Sequence, residues 1–244
     1  MSLQDAWETE ARNWIAWARK PGHDSYWRFH RDVFLGGLPP SPARVVDLGC
    51  GEGRLPRDLR RLGYEVIGID PSETLIAAAR QADPTGDYQV ADAAAVPLPD
   101  ASADLVSAFM TPQDIDDLDA AMREAFRLLV PGGRIRTASV HPINSAGGFA
   151  GAPTARNARV ADAPFEIIES YFETRRYRDE IERDGLPMAF TSLHRDLEDL
   201  AGPILRAGFL IDRVVEVPDS TSPPGSRWQR IPLFLHLGAI KPAA

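Results

Sequence analysis

A single cysteine, Cys50, in 244 residues excludes an internal disulfide and a cysteine-built zinc site. Positive charge is also scarce. Lys and Arg number 27 against 35 Asp and Glu, for a net charge of −8, and basic residues run no longer than pairs such as Arg60-Arg61 and Arg175-Arg176. Nucleic acids and anionic membranes need a positive face, so neither is expected as a partner. Even the segment 142–200 holds seven Arg against eleven Asp and Glu. No apolar run is long enough to span a bilayer, and Met1-Ser2-Leu3-Gln4-Asp5 lacks the charged and apolar regions of a signal peptide, so a cytoplasmic protein is expected. The five histidines form no H-E-x-x-H pattern and no carboxylates cluster, which predicts no metal. Apolar residues make up 44% of the chain, enough to bury one sizeable core with insertions around it.

That core is organised around residues 44–53. Val45, Val46 and Leu48 form a short apolar run, as in a strand covered on both faces of a parallel sheet. Gly49, Gly51 and Gly53 then leave no side chains where the backbone must turn sharply and a ligand must come close, and Cys50 fits between them because it is small. Leu55, Leu59 and Leu62 recur at helical spacing, and Pro56 is tolerated if it lies in the first turn. A second strand, Glu65 to Ile69, ends in Asp70, where a carboxylate can accept hydrogen bonds from both hydroxyls of a ribose. A dinucleotide fingerprint would read G-x-G-x-x-G. Here the run is G-x-G-x-G, with Asp47 just before it and Glu52 inside it. Two carboxylates would repel a pyrophosphate and suit a ligand carrying an ammonium and a sulfonium.

The run Val-Val-Asp-Leu-Gly-Cys-Gly-Glu-Gly, with Asp70 at the end of the second strand, resembles the first motifs of class I S-adenosylmethionine-dependent methyltransferases. Leu129-Val130-Pro131-Gly132-Gly133 is similar to the breaker that precedes their fifth strand. The resemblance implies an α/β, doubly wound, mostly parallel, Rossmann-like sheet of seven strands, the last antiparallel between its neighbours. It also implies S-adenosyl-L-methionine as cofactor, held by Asp47, Gly49, Cys50, Gly51, Asp70, Pro71, Asp92, Ala93 and Phe109. Asp92 would read the adenine amino group and the Ala93 backbone a ring nitrogen.

The rest of the chain is read around this centre as a single domain. Residues 1–40 predict two helices rich in aromatics, expected to form a lid, and Pro39-Pro40-Ser41-Pro42 leads stiffly into the first strand. Residues 41–141 form the cofactor core. Its fourth strand, Ala103 to Phe109, is followed by a helix through Ile115, Leu118, Met122, Ala125, Phe126 and Leu129. The fifth strand, Ile135 to Val140, delivers His141 to the ligand edge. Residues 142–192 break the alternation. They predict a cap inserted after the fifth strand, with strands Tyr171–Arg178 and Leu186–Leu193 around the turn Arg183-Asp184-Gly185. Residues 193–244 supply a helix ended by Gly208 and two strands, Phe209 to Val217 and Ile231 to Ile240, joined by the loop 218–229.

His141 is the candidate general base, since imidazole titrates near neutrality. Tyr26, Trp27, His30, Asn144 and His194 are the candidate substrate contacts, the first three as a lid shielding the sulfonium. The expected function is methyl transfer to a small neutral or cationic metabolite, O-methylation first, with N- and C-methylation open. A cofactor-binding protein that does not methylate (a cyclase, sensor or partner protein), a nucleic-acid methyltransferase and an NAD oxidoreductase are the alternatives.

Overall fold

The computed structural model describes residues 1–150, 163–222 and 226–243, so parts of the Gly/Ala/Pro-rich stretch after Asn144 and of the loop 218–229 lie outside the described residues. Strands and helices are numbered in chain order. The central sheet contains β1 (Arg44–Leu48), β2 (Glu65–Asp70), β3 (Asp87–Val90), β4 (Ala103–Phe109), β5 (Leu129–Val140), β10 (Leu210–Val217) and β11 (Phe234–Ile240). Their order is β10-β11-β5-β4-β1-β2-β3. The first five strands run parallel, while β11 lies antiparallel to both β5 and β10. This is the seven-stranded order implied by the motif resemblance. β1 pairs with both β2 and β4, so the glycine loop that follows it opens at the switch point where α/β sheets bind ligands.

Both faces of the sheet are covered, which explains the near-continuous apolar strands. One side packs α5 (Leu118–Leu128) and α7 (Leu197–Arg206) around Met122, Leu128, Ile204 and Phe209. The other packs α3 (Arg54–Arg61) and the lid residues Tyr26 and Phe34 on Val45, Leu105 and Phe109. α4 (Glu73–Ala82) follows β2 with Ser72 as its N-cap. Pro56 sits in the first turn of α3, where it breaks no helical bond.

The N-terminal segment expected to act as a lid consists of α1 (Leu3–Arg19), a π-helical turn (Tyr26–His30) and α2 (Arg31–Leu35). Ser2 and Asp5 close a capping box on α1. The second predicted helix is thus split. The Arg31 N–H reaches back five residues to Tyr26 O before α-helical bonding resumes. Glu8 of α1 accepts bonds from Ser72 and Thr74 and so ties the lid to α4.

The insertion holds α6 (Pro142–Ala146), a short pair β6 (Gly147–Phe149) and β7 (Phe165–Ile167), and a hairpin of β8 (Arg175–Arg183) and β9 (Leu186–His194). Asp184 and Gly185 take φ of 53° and 74°, the left-handed pair that a two-residue hairpin turn demands. Fixing the turn there moves β8 four residues beyond its expected start at Tyr171 and extends it to Arg183. α1 lies against β9, so lid and cap meet above the glycine loop. Among the described residues, no helix is long and apolar enough to cross a membrane.

Candidate functional site

Where lid, cap and the carboxyl ends of β1, β2 and β4 converge there is a cavity of about 600 Å³. The glycine loop forms its floor. Gly49 has φ +72°, and a Cβ there would stand 2.3 Å from the Thr111 side chain, so only glycine allows this turn. Gly51, at φ +56°, donates its N–H to Asp70 Oδ2 at 2.9 Å, and Ser72 N–H donates to Asp70 Oδ1 at 2.9 Å. Asp70 therefore stitches the β1 turn to the β2 turn while still facing the cavity. Burial raises its pKa to about 6, against the pull of those two N–H groups.

Gly49, Cys50, Gly51, Asp70, Pro71, Asp92, Ala93 and Phe109 all line this cavity. The Asp92 Oδ1 accepts the Ala94 N–H at 2.8 Å, an Asx turn that fixes its carboxyl and leaves the second oxygen available. The set fits an adenosyl ligand: acceptors for ribose and adenine donors, and left-handed glycines beside the main chain.

Asp47 is a correction. It is 1% exposed, does not line the cavity, and accepts a 2.6 Å bond from Ser107 Oγ, its direct register partner on β4. Burial raises its pKa to about 7. Glu52 does line the cavity, but its carboxylate is taken by Arg57 at 2.6 Å and by Arg19 at 3.1 Å. The negative charge expected beside a sulfonium is therefore not delivered by these two residues.

His141 is also corrected. It is the N-cap of α6, and its Nδ1 accepts the Ile143 N–H at 3.1 Å. Nε2 must then carry the proton, which it donates to Glu216 Oε1 at 3.0 Å. Both ring nitrogens are used outside the cavity lining, and burial lowers the pKa further despite Glu216. His141→Gln is expected to cost about 1 kcal/mol of stability, the usual scale of an N-cap, with affinity for S-adenosylhomocysteine unchanged in calorimetry. A large loss of affinity would restore a site role.

Of the expected substrate contacts, only Asn144 lines the cavity. Tyr26 lies beneath the lid and donates to Asp58 at 2.8 Å. Trp27 points outward, 55% exposed. His30 pairs with His236 at 2.9 Å and is buried. His194 donates from Nε2 to Tyr171 O at 2.9 Å, so its Nδ1 accepts from Ser145 Oγ at 2.7 Å, and neither nitrogen is spare. In their place stand Trp7 and Trp14 of α1, Gln113 and Asp114 after β4, and Phe190 and Ser192 of β9. Asp114 follows Phe109 by five residues at the same carboxyl edge, the positional signal that could have marked it.

The chain matches the methyltransferase domain family over residues 46–137. It is 38% identical over 112 residues to a malonyl-[acyl-carrier protein] O-methyltransferase of Enterobacter lignolyticus, covering 46% of this chain and 45% of that protein. A demethylmenaquinone methyltransferase of Thermus thermophilus is 37% identical over 120 residues, covering 47% and 54%. The chain thus spans about half the length of the curated relatives it matches. The crystal structure of an S-adenosylmethionine-dependent methyltransferase from Mesorhizobium loti superposes with a TM-score of 0.69 at 25% identity, covering 89% of this chain and 98% of that one. With the motif residues gathered around one cavity and the seven-stranded order, these matches make the chain similar to class I S-adenosylmethionine-dependent methyltransferases, in sequence over its cofactor core and in fold over most of its length.

Proposed function

We propose that this protein transfers a methyl group from S-adenosylmethionine to an oxygen, nitrogen or carbon atom of a small molecule enclosed between lid and cap. The observation that carries this reading is a cavity of about 600 Å³ into which both the cofactor motif and the cap hairpin project. S-adenosylmethionine, when bound, supplies an electrophilic methyl on a sulfonium. The chain's own share is positioning. Asp70 would accept the ribose hydroxyls, Asp92 and the Ala93 backbone would read the adenine, and the glycine loop would pass close to the ligand's main chain. The aromatic N-terminal helices, with Arg54 over the rings of Trp14 and Phe109, would exclude water and limit where an acceptor can approach.

Calorimetric titration with S-adenosylhomocysteine, then incubation with methyl-labelled S-adenosylmethionine and a metabolite extract, tests the proposal. Binding followed by label transfer to a small molecule supports it. Binding without transfer by any extract would favour a cofactor-binding protein that does not methylate, and absence of binding would overturn the reading.

A further inference from the structure

On the cap side of the cavity one buried acceptor lacks a donor and two carboxylates stand near it. Gln113, 6% exposed, donates through its side-chain nitrogen to Met110 O at 2.6 Å and reaches Asp114 Oδ2 at 3.3 Å. Both neighbours are acceptors, which fixes the amide's orientation. Its Oε1 is buried and receives no hydrogen bond among the described residues. Asp114 lies beside it and accepts from Ser192 Oγ at 2.6 Å. Asp179, a solvent-exposed residue of β8 that also lines the cavity, has no cation within ion-pair distance among the described residues. A buried acceptor left without a donor is costly and is normally met by a ligand or water.

The guanidinium groups of the cavity wall have other hydrogen-bond partners, though among the described residues only Arg54 is paired with a carboxylate. Arg54 pairs with Asp24 and stands over Trp14. Arg183 donates to Gly22 O at 3.2 Å and stands over Trp17. Arg28 donates to Thr221 at 2.7 Å and stands over Phe29. Arg195, behind Asp114, is held by the carbonyls of Pro112, Ile115 and Asp116. Trp7 and Phe190, edge to face at 6.3 Å, have no cation over their rings among the described residues. A pocket of carboxylates, an unfilled carbonyl and open aromatic faces is the chemistry that holds a protonated nitrogen.

We propose that the methyl acceptor is an amine, held by Asp114, Gln113 Oε1 and Asp179 with the rings of Trp7 and Phe190 alongside. This rests on the methyl-transfer reading and narrows its acceptor atom to nitrogen. A carboxylate head, such as that of a malonyl group, would instead face the like charges of Asp114 and Asp179. In the reaction, the bound ammonium first gives one proton to the Asp114 carboxylate and from there to water, and the lone pair so freed forms the bond to the methyl carbon as the carbon–sulfur bond breaks, its electron pair staying on sulfur. The positive charge passes to nitrogen, and the methylated product leaves as an ammonium. Burial holds Asp114 at about 7, so it exchanges protons near neutrality.

The test uses the full chain saturated with S-adenosylhomocysteine and titrated calorimetrically with 2-phenylethylamine, 2-phenylethanol and phenylacetate, three heads on one ring. The amine is expected to bind at least about tenfold more tightly than the other two, and Asp114→Asn and Asp179→Asn each to weaken it about tenfold, the lower end for a lost charged hydrogen bond. Asp179 lies on the hairpin, so its variant remains informative if Asp114→Asn does not fold. No heat with S-adenosylhomocysteine alone would sink the methyl-transfer reading. Normal heat there, followed by equal affinity for the three heads, tighter binding of phenylacetate, no binding by any, or an unchanged amine affinity in the variants, would overturn the amine assignment alone.

Discussion

Asp70→Ala is expected to bind S-adenosylhomocysteine roughly 10- to 150-fold more weakly, or about 1.5–3 kcal/mol, the scale for losing hydrogen bonds to a charged acceptor. Two losses add in that variant. The ribose hydroxyls lose their acceptor, and the N–H groups of Gly51 and Ser72 lose the carboxylate that holds the two ligand turns together. Asp70→Asn keeps one carbonyl oxygen and turns an amide nitrogen toward an N–H group, so its loss is smaller but real. Hydroxyl donors favour the ionised carboxylate. Because burial raises Asp70 to about 6, affinity should fall as pH drops below that value, and the fall should vanish in the alanine variant. Titrations at pH 5 and pH 8 measure both effects. Unchanged affinity in Asp70→Ala would remove the ribose assignment.

Asp70 was legible because its evidence is in the backbone. A strand ending at a switch point, 21 residues after the first glycine of a sharp turn, fixes where its last side chain emerges. The same holds for Asp92 and Phe109, each at a strand's carboxyl end. Asp47 lies within β1 itself, and the direction it takes depends on Ser107, 60 residues away, sitting beside it in register. Glu52 is neutralised by Arg57 of the adjoining helix and by Arg19, which only the packing of α1 brings near. His141 stands at the right edge of the sheet, yet an N-cap bond and Glu216 draw both ring nitrogens away from the ligand. The N-terminal segment was legible as aromatic helices, but Tyr26 and His30 of the π turn are buried away from the cavity, and α1 supplies rings that line it instead. Position along an element is a local property. The partner that captures a polar side chain is a tertiary one.

Asp47→Asn is expected to stabilise the protein at alkaline pH. The carboxyl is 1% exposed, its hydrogen-bond partner is the Ser107 hydroxyl, and burial holds its pKa at about 7 against a usual value of 3.8. Between those two values the unfolded chain gives up a proton that the folded chain keeps. Stability is therefore fully present below about pH 4 and is lost as pH rises through 7. The ceiling on that loss is about 4 kcal/mol, three pKa units at 1.36 kcal/mol each. Asparagine keeps a carbonyl to accept from Ser107 and carries no charge, though its amide nitrogen needs a partner, at a cost of about 1 kcal/mol. Urea denaturation should show Asp47→Asn more stable than the parent chain by about 1–3 kcal/mol at pH 8, with the gain shrinking to nothing or reversing by pH 4.5. Because Asp47 does not line the cavity, affinity for S-adenosylhomocysteine should be unchanged in the same variant. A pH-independent loss of stability would mean that Asp47 is ionised and paired in the folded protein, and a large loss of affinity would return it to the ligand.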